Sequence, residues 1–403
     1  MSNAPWLTIV GLTEDGPEGL TAASLNALKH AKAIVGPKRH LALLSALSNG
    51  LSADLIDWPV PFADGLALLE KRRGTPTVAL VSGDPFWFGA GTVIAKHFAP
   101  DEWRALANTS VFSCAAAHLG WPLETTPCLG LHAVPFARLR PHLAPGQRMI
   151  MTLRDGPAVA GLAQWLETVG FGDTTMHILE AIGGPNERVR SAKSAAFAFD
   201  DIVHPVAVAI EVAGAGETIP LTSGKADALF ANDGQITKRP IRALTLSALA
   251  PRKGERLWDL GAGSGSIALE WLMSDPSTNA VAVEARQDRA EIIRQNADTL
   301  GQERLQIVTG SALDHLSDLP CPDVVFVGGG LSSDLLDALQ QLCSKGTRLV
   351  ANAVTMETEA LLISAQARLG GDLMRIELSQ PTDIGRFHAW KSAYPLVQWS
   401  VVL

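Results

Sequence analysis

The sequence predicts an α/β protein with two domains, each built on a largely parallel sheet. Three observations support this class. The chain has 403 residues, whereas single domains usually span about 100–200 residues. Short apolar runs that end in Gly or Pro alternate with longer stretches of helical periodicity, which is typical of parallel strands with helices on both faces. A Gly-rich, small polar stretch at 213–233 interrupts the alternation, so we expect domains at 1–215 and 225–403.

The predicted elements follow one another in two series. In the first series, helical spacing occurs at 19–30 and 158–169. The strands of this series are the apolar runs at 6–11, 33–36, 77–84, 148–153 and 207–212. The strands of the second series are the runs at 256–263, 280–285, 305–310, 323–330 and 348–354. Because the glycine motifs of the two series differ in form, we do not expect the domains to be repeats of each other.

The composition excludes several classes of function. Charged residues make up only 18% of the chain and the formal net charge is −8, so the chain has no basic footprint for nucleic acid. The four cysteines are far apart and lack CxxC spacing, which argues against disulfides or a zinc site; we expect no metal. There is no leader-like segment at the start, and no uncharged apolar run reaches the roughly 18 residues of a membrane helix. We expect a cytoplasmic protein, a homo-oligomer, that acts on a small molecule.

A glycine-rich turn in the second domain carries the strongest motif. Residues 259–266 read D-L-G-A-G-S-G-S between an apolar strand and a helical stretch. Such a turn lets backbone N–H groups approach a ligand closely, and the N-terminus of the helix adds positive potential. Glu284 stands at the end of the next predicted strand, where its carboxylate can accept hydrogen bonds from both hydroxyls of a ribose. The plain alternative is a glycine-rich turn without a ligand.

Two cofactors compete for this turn. A dinucleotide fingerprint reads GxGxxG, whereas the glycines here fall as GxGxG. That spacing resembles the class I methyltransferases that use S-adenosylmethionine (SAM), whose fold is Rossmann-like. The resemblance implies SAM contacts at Gly261, Ala262, Gly263, Ser264, Gly265 and Glu284.

The rest of the second domain narrows the family. The stretches 234–249, 281–301 and 323–330 resemble the precorrin methyltransferase-decarboxylases of cobalamin biosynthesis. In the last stretch, VGGG stands where methyltransferases of nucleic-acid amino groups carry an N/D-P-P-Y/F motif. The resemblance implies further SAM contacts at Thr237 and Ala312. The chain departs from many methyltransferases at Ser311, where they place an acid for the adenine amine.

Two further features of this domain indicate the substrate. Gly328, Gly329 and Gly330 can let a flat macrocycle lie against the backbone, or they simply form a tight turn. Arg239 and Arg242 lie at positions i and i+3 of a predicted helix, from which both can pair with substrate carboxylates. A solvated surface role is the alternative for each arginine.

The first domain carries different motifs, at 10–21, 34–41, 79–91 and 111–124. A Gly loop after the first strand, an SGDP turn and an S-x-x-A-A run follow in the order that resembles the tetrapyrrole (corrin/porphyrin) methylase family, over 6–212. Leu12, Thr13 and Glu14 depart from the commoner GxGPG loop, a variant that looks like the branch acting on carbon 5 of the precorrin ring. The resemblance implies a second SAM site with contacts at Gly11, Gly83, Asp84, Gly89, Ser113, Met151 and Thr152.

The physical interpretation of these motifs is consistent with the family. The SGDP turn presents backbone groups and a carboxylate that can hold the amino-acid end of SAM, although such a turn by itself is common. The histidines are weaker candidates for catalytic roles. We expect His30, His40 and His97 to be packing or surface residues, and only His118 to be placed where it can face the cleft.

Together the two resemblances imply two SAM-dependent methylations of a tetrapyrrole, precorrin-6Y. The first domain would methylate carbon 5. The second would methylate carbon 15 and remove carbon dioxide from the acetate at carbon 12, giving precorrin-8x. Because meso carbons of a reduced tetrapyrrole are enamine-like nucleophiles, alignment with the methyl group supplies much of the rate. The sequence names no residue for the decarboxylation. A dinucleotide-dependent oxidoreductase, a non-catalytic tetrapyrrole carrier and methylation at another ring position are the alternatives.

Overall fold

The chain folds into two compact units of the α/β class. The computed structural model describes residues 5–403; the first four residues, part of the segment on which the absence of a leader was predicted, lie outside the described residues. One unit comprises the chain up to Phe136 and Ala144–Glu217, and the other comprises Ala137–Leu143 and Thr218–Leu403. The α/β class is confirmed. The limits 1–215 and 225–403 stay a prediction.

The first sheet of the first unit is parallel throughout, in the order β3-β2-β4-β1-β5. Its strands are β1 (Leu7–Leu12), β2 (Ala33–Gly36), β3 (Asp54–Asp57), β4 (Thr77–Ser82) and β5 (Trp103–Leu106). All residues of β1 and β2 are buried, which is why their continuous apolar runs predict them. The edge strands β3 and β5 are partly exposed, and their mixed sequences carry no such run.

The second sheet of this unit corrects the expectation of a largely parallel arrangement. Its strands are β6 (Cys128–Gly130), β7 (Arg148–Leu153), β8 (Thr175–Glu180), β9 (Arg188–Lys193) and β10 (Val206–Glu211). The order is β6-β7-β10-β8-β9, and only β6 and β7 are parallel. β10 enters last, between two strands that run against it. A buried apolar run has the same composition in either direction, so the sequence pattern could not reveal this.

Three helices of the first unit begin at a residue whose side chain caps the helix. Thr21, Ser110 and Asp155 accept a backbone N–H through their side chains at the starts of α1, α5 and α6, as N-cap residues do. The helix predicted at 19–30 begins only at Ala22, because Gly16–Gly19 forms a separate 3-10 turn. The six helices are α1 (Ala22–His30), α2 (Lys38–Leu43), α3 (Ala63–Glu70), α4 (Gly91–His97), α5 (Val111–Leu119) and α6 (Gly156–Thr168).

The second unit is built on a seven-stranded sheet with the order β13-β12-β11-β14-β15-β19-β16. The strands are β11 (Arg256–Leu260), β12 (Asn279–Glu284), β13 (Gln306–Thr309), β14 (Val324–Val327), β15 (Arg348–Ala353), β16 (Asp372–Ile376) and β19 (Leu396–Val402). The first five strands in this order are parallel to one another. β19 is antiparallel to both of its neighbours, β15 and β16. The strand order reverses at β11, so its carboxyl end opens a crevice where α/β sheets bind ligands.

Helices cover both faces of this sheet, and a separate hairpin completes the unit. The hairpin pairs β17 (Ser379–Ile384) with β18 (Phe387–Ser392). Buried tryptophans, Trp258, Trp271 and Trp399, anchor the cores. The helices are α7 (Arg239–Leu249), α8 (Ser266–Ser274), α9 (Gln287–Thr299), α10 (Ala312–His315), α11 (Ser333–Leu342) and α12 (Met356–Leu369). Across residues 5–403, every helix is too short or too polar to cross a membrane.

Candidate functional site

The glycine-rich turn of the second unit leads from β11 into α8. Gly261, Gly263 and Gly265 have φ of +72°, +59° and +74°, a left-handed conformation that costs other residues roughly 1–2 kcal/mol. A Cβ on Gly261 would lie 2.9 Å from a backbone oxygen of the turn after β14, and one on Gly265 would lie 2.8 Å from Ile293. A Cβ on Gly263 would meet only Gln235 O, at 3.8 Å. Packing therefore requires two of the glycines, whereas Gly263 faces open space.

Glu284, the last residue of β12, holds this turn in place. Its carboxylate is 5% exposed. Oε2 accepts a hydrogen bond from the backbone N–H of Gly263 at 2.8 Å, and Oε1 accepts one from Arg286 at 3.0 Å. Each carboxylate oxygen keeps a further lone pair. The structure thus brings Glu284 to the glycine loop, and its contact with a ribose stays a prediction.

Two polar side chains at the loop are buried, and one of them, Asp259, was not predicted as a site residue. Asp259 Oδ2 accepts a hydrogen bond from Ala268 N at 3.0 Å, while its Oδ1 has no hydrogen-bond partner among the described residues. Burial, and to a smaller extent the charge of Glu284, raises the pKa of Asp259 to about 7. The hydroxyl of Ser264, one of the predicted contacts, is likewise buried without a partner in the described chain. Orphaned buried polar atoms are rare, so this loop fits a polar ligand.

Asn296 of α9 ties the loop to the chain segment before α7. Its Nδ2 donates to Ser264 O and to Ala231 O, both at 2.9 Å, and its Oδ1 accepts from Ala231 N at 2.8 Å. Thr237, a predicted SAM contact, is half-buried further along this segment. Sequence reasoning missed Asn296, because a single polar residue on a helix gives no signal until its partners are known.

Two other predicted features lie at the ends of neighbouring strands. Ala312 opens α10 after β13 and is half-buried. In the turn after β14, Gly328 N donates to Leu260 O at 3.1 Å. A Cβ on Gly329 or on Gly330 would meet nothing within 4 Å. The glycine turn after β14 therefore lies beside the loop after β11 and leaves backbone surface open to a flat ligand.

The structure corrects the expectation for Arg242. Its side chain has no exposed surface, and its Nε donates to Glu270 at 2.6 Å. The remaining nitrogens donate to Asp227 at 3.0 Å, to Lys225 O at 2.6 Å and to Thr237 O. A guanidinium held in this way cannot also bind a substrate carboxylate. The helical spacing was correct, but it could not show that Arg242 lies on the buried face of α7.

Arg239 differs from Arg242 although both lie on one helix. It is the first residue of α7 and is exposed. No ion pair to its side chain is found within residues 5–403. Arg239 therefore remains a candidate for a substrate carboxylate.

The SGDP turn of the first unit lies at the carboxyl ends of β4 and β1. Gly83 N donates to Leu12 O at 2.9 Å, and Gly83 has φ of +51°. A Cβ on Gly11 would collide with Gly83 O. Asp84 Oδ1 accepts a hydrogen bond from Phe86 N at 2.8 Å, which closes the turn. The two loops are therefore in direct backbone contact, and only glycine at position 11 allows it.

A cavity of about 350 Å³ opens beside this turn. Of the predicted SAM contacts, Gly83, Asp84, Gly89 and Thr152 line it. Three others do not reach its wall. Met151 is fully buried in β7, the Ser113 hydroxyl lies 3.0 Å from Ser110 Oγ, and Gly11 packs behind Gly83. Thr152 and Leu153 of β7 line the cavity, whereas Met151 is enclosed in the core one residue earlier.

Sequence reasoning missed a group of interacting polar residues in the cavity wall, Arg39, His40 and Glu14. Arg39 pairs with Glu14, and its NH2 lies 2.8 Å from His40 Nε2 and 3.3 Å from Ser82 Oγ. Burial, and to a smaller extent the charge of Arg39, lowers the pKa of His40 to about 3. His118, which was expected to face the cleft, is exposed and lies 3.2 Å from Glu187. The K-R-H run at 38–40 was the available signal, but a charged run usually marks a solvated surface.

Two family models match the chain. Residues 7–198 match the tetrapyrrole (corrin/porphyrin) methylases, and residues 228–403 match a precorrin methyltransferase domain. Both resemblances stated above are thereby confirmed. The second match lies within the second compact unit, and the first lies within the first unit except for Ala137–Leu143.

Characterised relatives extend the match along nearly the whole chain. A precorrin-6Y C(5,15)-methyltransferase [decarboxylating] of Sinorhizobium sp is 44% identical over 401 residues, 98% of this chain and 96% of that protein. The Mycobacterium tuberculosis protein of the same name is 38% identical over 403 residues, 98% of this chain and 99% of that protein. A probable cobalt-precorrin-6B C(15)-methyltransferase (decarboxylating) of Saccharolobus solfataricus is 32% identical over 154 residues, 36% of this chain and 77% of that protein.

Proposed function

Because this chain belongs to the family of the decarboxylating precorrin-6Y C(5,15)-methyltransferases, we propose that it methylates precorrin-6Y at carbons 5 and 15. It also removes carbon dioxide from the acetate at carbon 12, and the product is precorrin-8x. The observation that carries this proposal is the arrangement at the strand reversal of the second unit. There the left-handed glycine loop is hydrogen-bonded to Glu284 and lies beside the open glycine turn at 328–330.

We assign one SAM site and one methylation to each of the domains 1–215 and 225–403. The first methylates carbon 5; the second methylates carbon 15 and decarboxylates. Two findings support this division. The two family models cover different halves of the chain. The name of the Saccharolobus relative combines carbon 15 methylation with decarboxylation, and that relative matches only 36% of this chain.

SAM, when bound, supplies a methyl group on a sulfonium that is already activated for transfer to carbon. In the second unit, the loop Gly261–Gly265 is the surface against which the cofactor lies, and the open side of Gly263 admits it. Glu284 orients that loop and offers lone pairs to the ribose hydroxyls. Thr237, Ser264 and Ala312 complete this site.

The tetrapyrrole lies against the backbone at Gly328, Gly329 and Gly330, and Arg239 holds one of its carboxylates. These residues do not take up a proton during methyl transfer. Their contribution is to align the ring carbon with the methyl group, and alignment of this kind can supply an effective molarity of about 10⁵ M or more.

In the first unit, the residues that hold SAM are those of the cavity wall: Gly83, Asp84, Gly89 and Thr152. Aromatic side chains of the same wall, among them Trp58, Trp87 and Phe112, keep water from the reacting atoms. Gly11 acts indirectly, since it lets the SGDP turn approach β1.

Mass spectrometry of the product tests the reaction. The full chain is incubated with precorrin-6Y and methyl-labelled SAM. The expected product gains two methyl groups (about 28 Da) and loses carbon dioxide (about 44 Da). A product with one methyl group, or with two and no loss of carbon dioxide, contradicts the proposal. Titration with SAM should show two binding sites, whereas titration with NADPH should show none.

The homo-oligomer and the cytoplasmic location are part of the same proposal. Both follow from expectations for a soluble biosynthetic enzyme. Size-exclusion chromatography with light scattering tests the first, and fractionation of cells tests the second.

A further inference from the structure

The cavity of the first unit has a single Lys or Arg side chain among its described lining residues, Arg39. Two carboxylates, Glu14 and Asp84, line the same cavity. Burial lowers the pKa of His40 and of His204, and the charge of Arg39 lowers both further. At neutral pH these imidazoles are therefore uncharged. An anionic group that enters the cavity therefore meets the positive charge of Arg39.

Arg39 is held by partners from three neighbouring strand ends. It lies in α2, after β2; Glu14 follows β1, and Ser82 ends β4. One guanidinium nitrogen pairs with Glu14, and the other lies 2.8 Å from His40 Nε2 and 3.3 Å from Ser82 Oγ. His40 Nε2 accepts, because a guanidinium can only donate. The guanidinium has five N–H donors, and these contacts leave some of them unused. The side chain of Arg39 remains 30% exposed.

Glu14 belongs to the three-residue departure from the commoner GxGPG loop. Hydrogen bonds and close packing hold this loop against neighbouring segments. Thr13 hydrogen-bonds to Asp15 and accepts from Asn108 Nδ2 at 3.3 Å. A Cβ on Gly184 would collide with the backbone and Cβ of Glu14, so the chain packs tightly there as well. The inserted residues therefore place a fixed carboxylate against Arg39.

We propose that Arg39 recognises a carboxylate of the ligand in this cavity, and that Glu14 and His40 are its positioning residues. A carboxylate is the planar acceptor that matches the guanidinium fork. It has two sources, the amino-acid end of SAM and a carboxylate side chain of the tetrapyrrole. The inference rests on the function proposed for this unit, and it names the group that orients the ligand for methylation at carbon 5.

The first arm of the test concerns SAM. S-Adenosylhomocysteine carries the amino-acid carboxylate, and 5′-methylthioadenosine lacks it. Both are titrated calorimetrically into the full chain and into its Arg39→Gln variant. If Arg39 binds the cofactor carboxylate, Arg39→Gln weakens S-adenosylhomocysteine about tenfold or more at one of the two sites. Binding of 5′-methylthioadenosine stays unchanged.

The second arm concerns the tetrapyrrole. If Arg39 binds a substrate carboxylate, Arg39→Gln leaves both S-adenosylhomocysteine sites unchanged. It then raises KM for precorrin-6Y in carbon 5 methylation about tenfold or more. Carbon 15 methylation and loss of carbon dioxide continue. Lys38→Gln is the matched control. It removes a positive charge from the neighbouring residue, whose side chain is 87% exposed. Arg39→Lys, which keeps the charge and loses the fork, should give a smaller loss in the same arm.

The positioning role has its own readout. Glu14→Gln keeps Arg39 charged but loosens it, so we expect kcat for carbon 5 methylation to fall about tenfold while KM changes little. Glu18→Gln, on an exposed residue of the same segment, is the control. Unchanged values in both arms for Arg39→Gln and Arg39→Lys overturn the inference. A wild-type chain that does not methylate carbon 5 contradicts the proposed function instead.

Discussion

Gly263 and Glu284, 21 positions apart, are joined by a 2.8 Å hydrogen bond from the backbone N–H of Gly263 to the Glu284 carboxylate. This bond connects the turn after β11 to the end of β12. It means that Glu284 shapes the loop in addition to offering an acceptor to a ribose. Loss of the carboxylate therefore affects the cofactor site in two ways.

We expect Glu284→Ala to weaken SAM binding in the second unit by roughly 1.5–3 kcal/mol, the usual range for hydrogen bonds to a charged group. Calorimetric titration should show one of two SAM sites weakened. Glu291→Ala is the control, because Glu291 is an exposed carboxylate on α9 that accepts a hydrogen bond from Gln287. Equal weakening of both sites would indicate a folding defect and would count against the assigned role.

Gly263→Ala tests the approach of a ligand to the loop. The new Cβ has space in the structure, so the fold should survive at a cost of roughly 1–2 kcal/mol for the left-handed backbone. Methylation at carbon 15 and loss of carbon dioxide should both fail. Gly346→Ala carries the same kind of strain, since Gly346 also has a positive φ and open space. That variant should lose stability and keep activity; product masses and melting temperatures separate the two outcomes.

Asp84→Ala should give the converse product. Asp84 lines the cavity of the first unit and closes its turn through Phe86 N. We expect a decarboxylated ring with a single added methyl group, measured by mass spectrometry from the same precorrin. Asp101→Ala, at an exposed position of the same unit, should behave as wild type. If Asp84→Ala lost decarboxylation while Gly263→Ala kept it, the division between the two units would be reversed.

Asp259 predicts a pH dependence of stability. Burial raises its pKa to about 7 from 3.8. Between these values the unfolded chain has released the proton and the folded chain retains it, so the free energy of unfolding falls as pH rises from about 4 to about 7. Asp259→Asn removes this contribution. The free energy of unfolding of Asp259→Asn, measured relative to wild type, should therefore rise from about pH 4 to about pH 7, by on the order of 2–4 kcal/mol. Urea unfolding at several pH values measures this, and a constant difference would contradict it.

The approach of the glycine loop to Glu284 was predictable because its parts are close in sequence. A strand, a glycine turn, a helix and the next strand form one local unit, so the distance along the chain from Gly265 to Glu284 translates into proximity in space. The glycines also serve needs that are visible in sequence, namely left-handed backbone and the absence of a Cβ. The same reasoning found the SGDP turn and Gly11.

Arg242 and Arg39 show where such reasoning fails. Arg239 and Arg242 lie on the same helix and carry the same charge, yet Arg239 is exposed and Arg242 is buried against Glu270. Arg39 stands between Lys38 and His40 in the sequence, yet its partners Glu14 and Ser82 lie 25 and 43 positions away. Charge and helical spacing are the same in both environments, so only the fold distinguishes them.

The sequence by itself determined the α/β class, the family of each half and the two glycine-containing turns, because these depend on local periodicity and on backbone conformations that few residues adopt. Only the tertiary structure decided the antiparallel second sheet, the burial of Arg242, the absence of Met151 from the cavity wall and the pairing of Arg39 with Glu14. Each of these depends on which distant segments pack together. Burial, and with it the pKa values of Asp259 and His40, arises from that packing and has no counterpart in the local sequence.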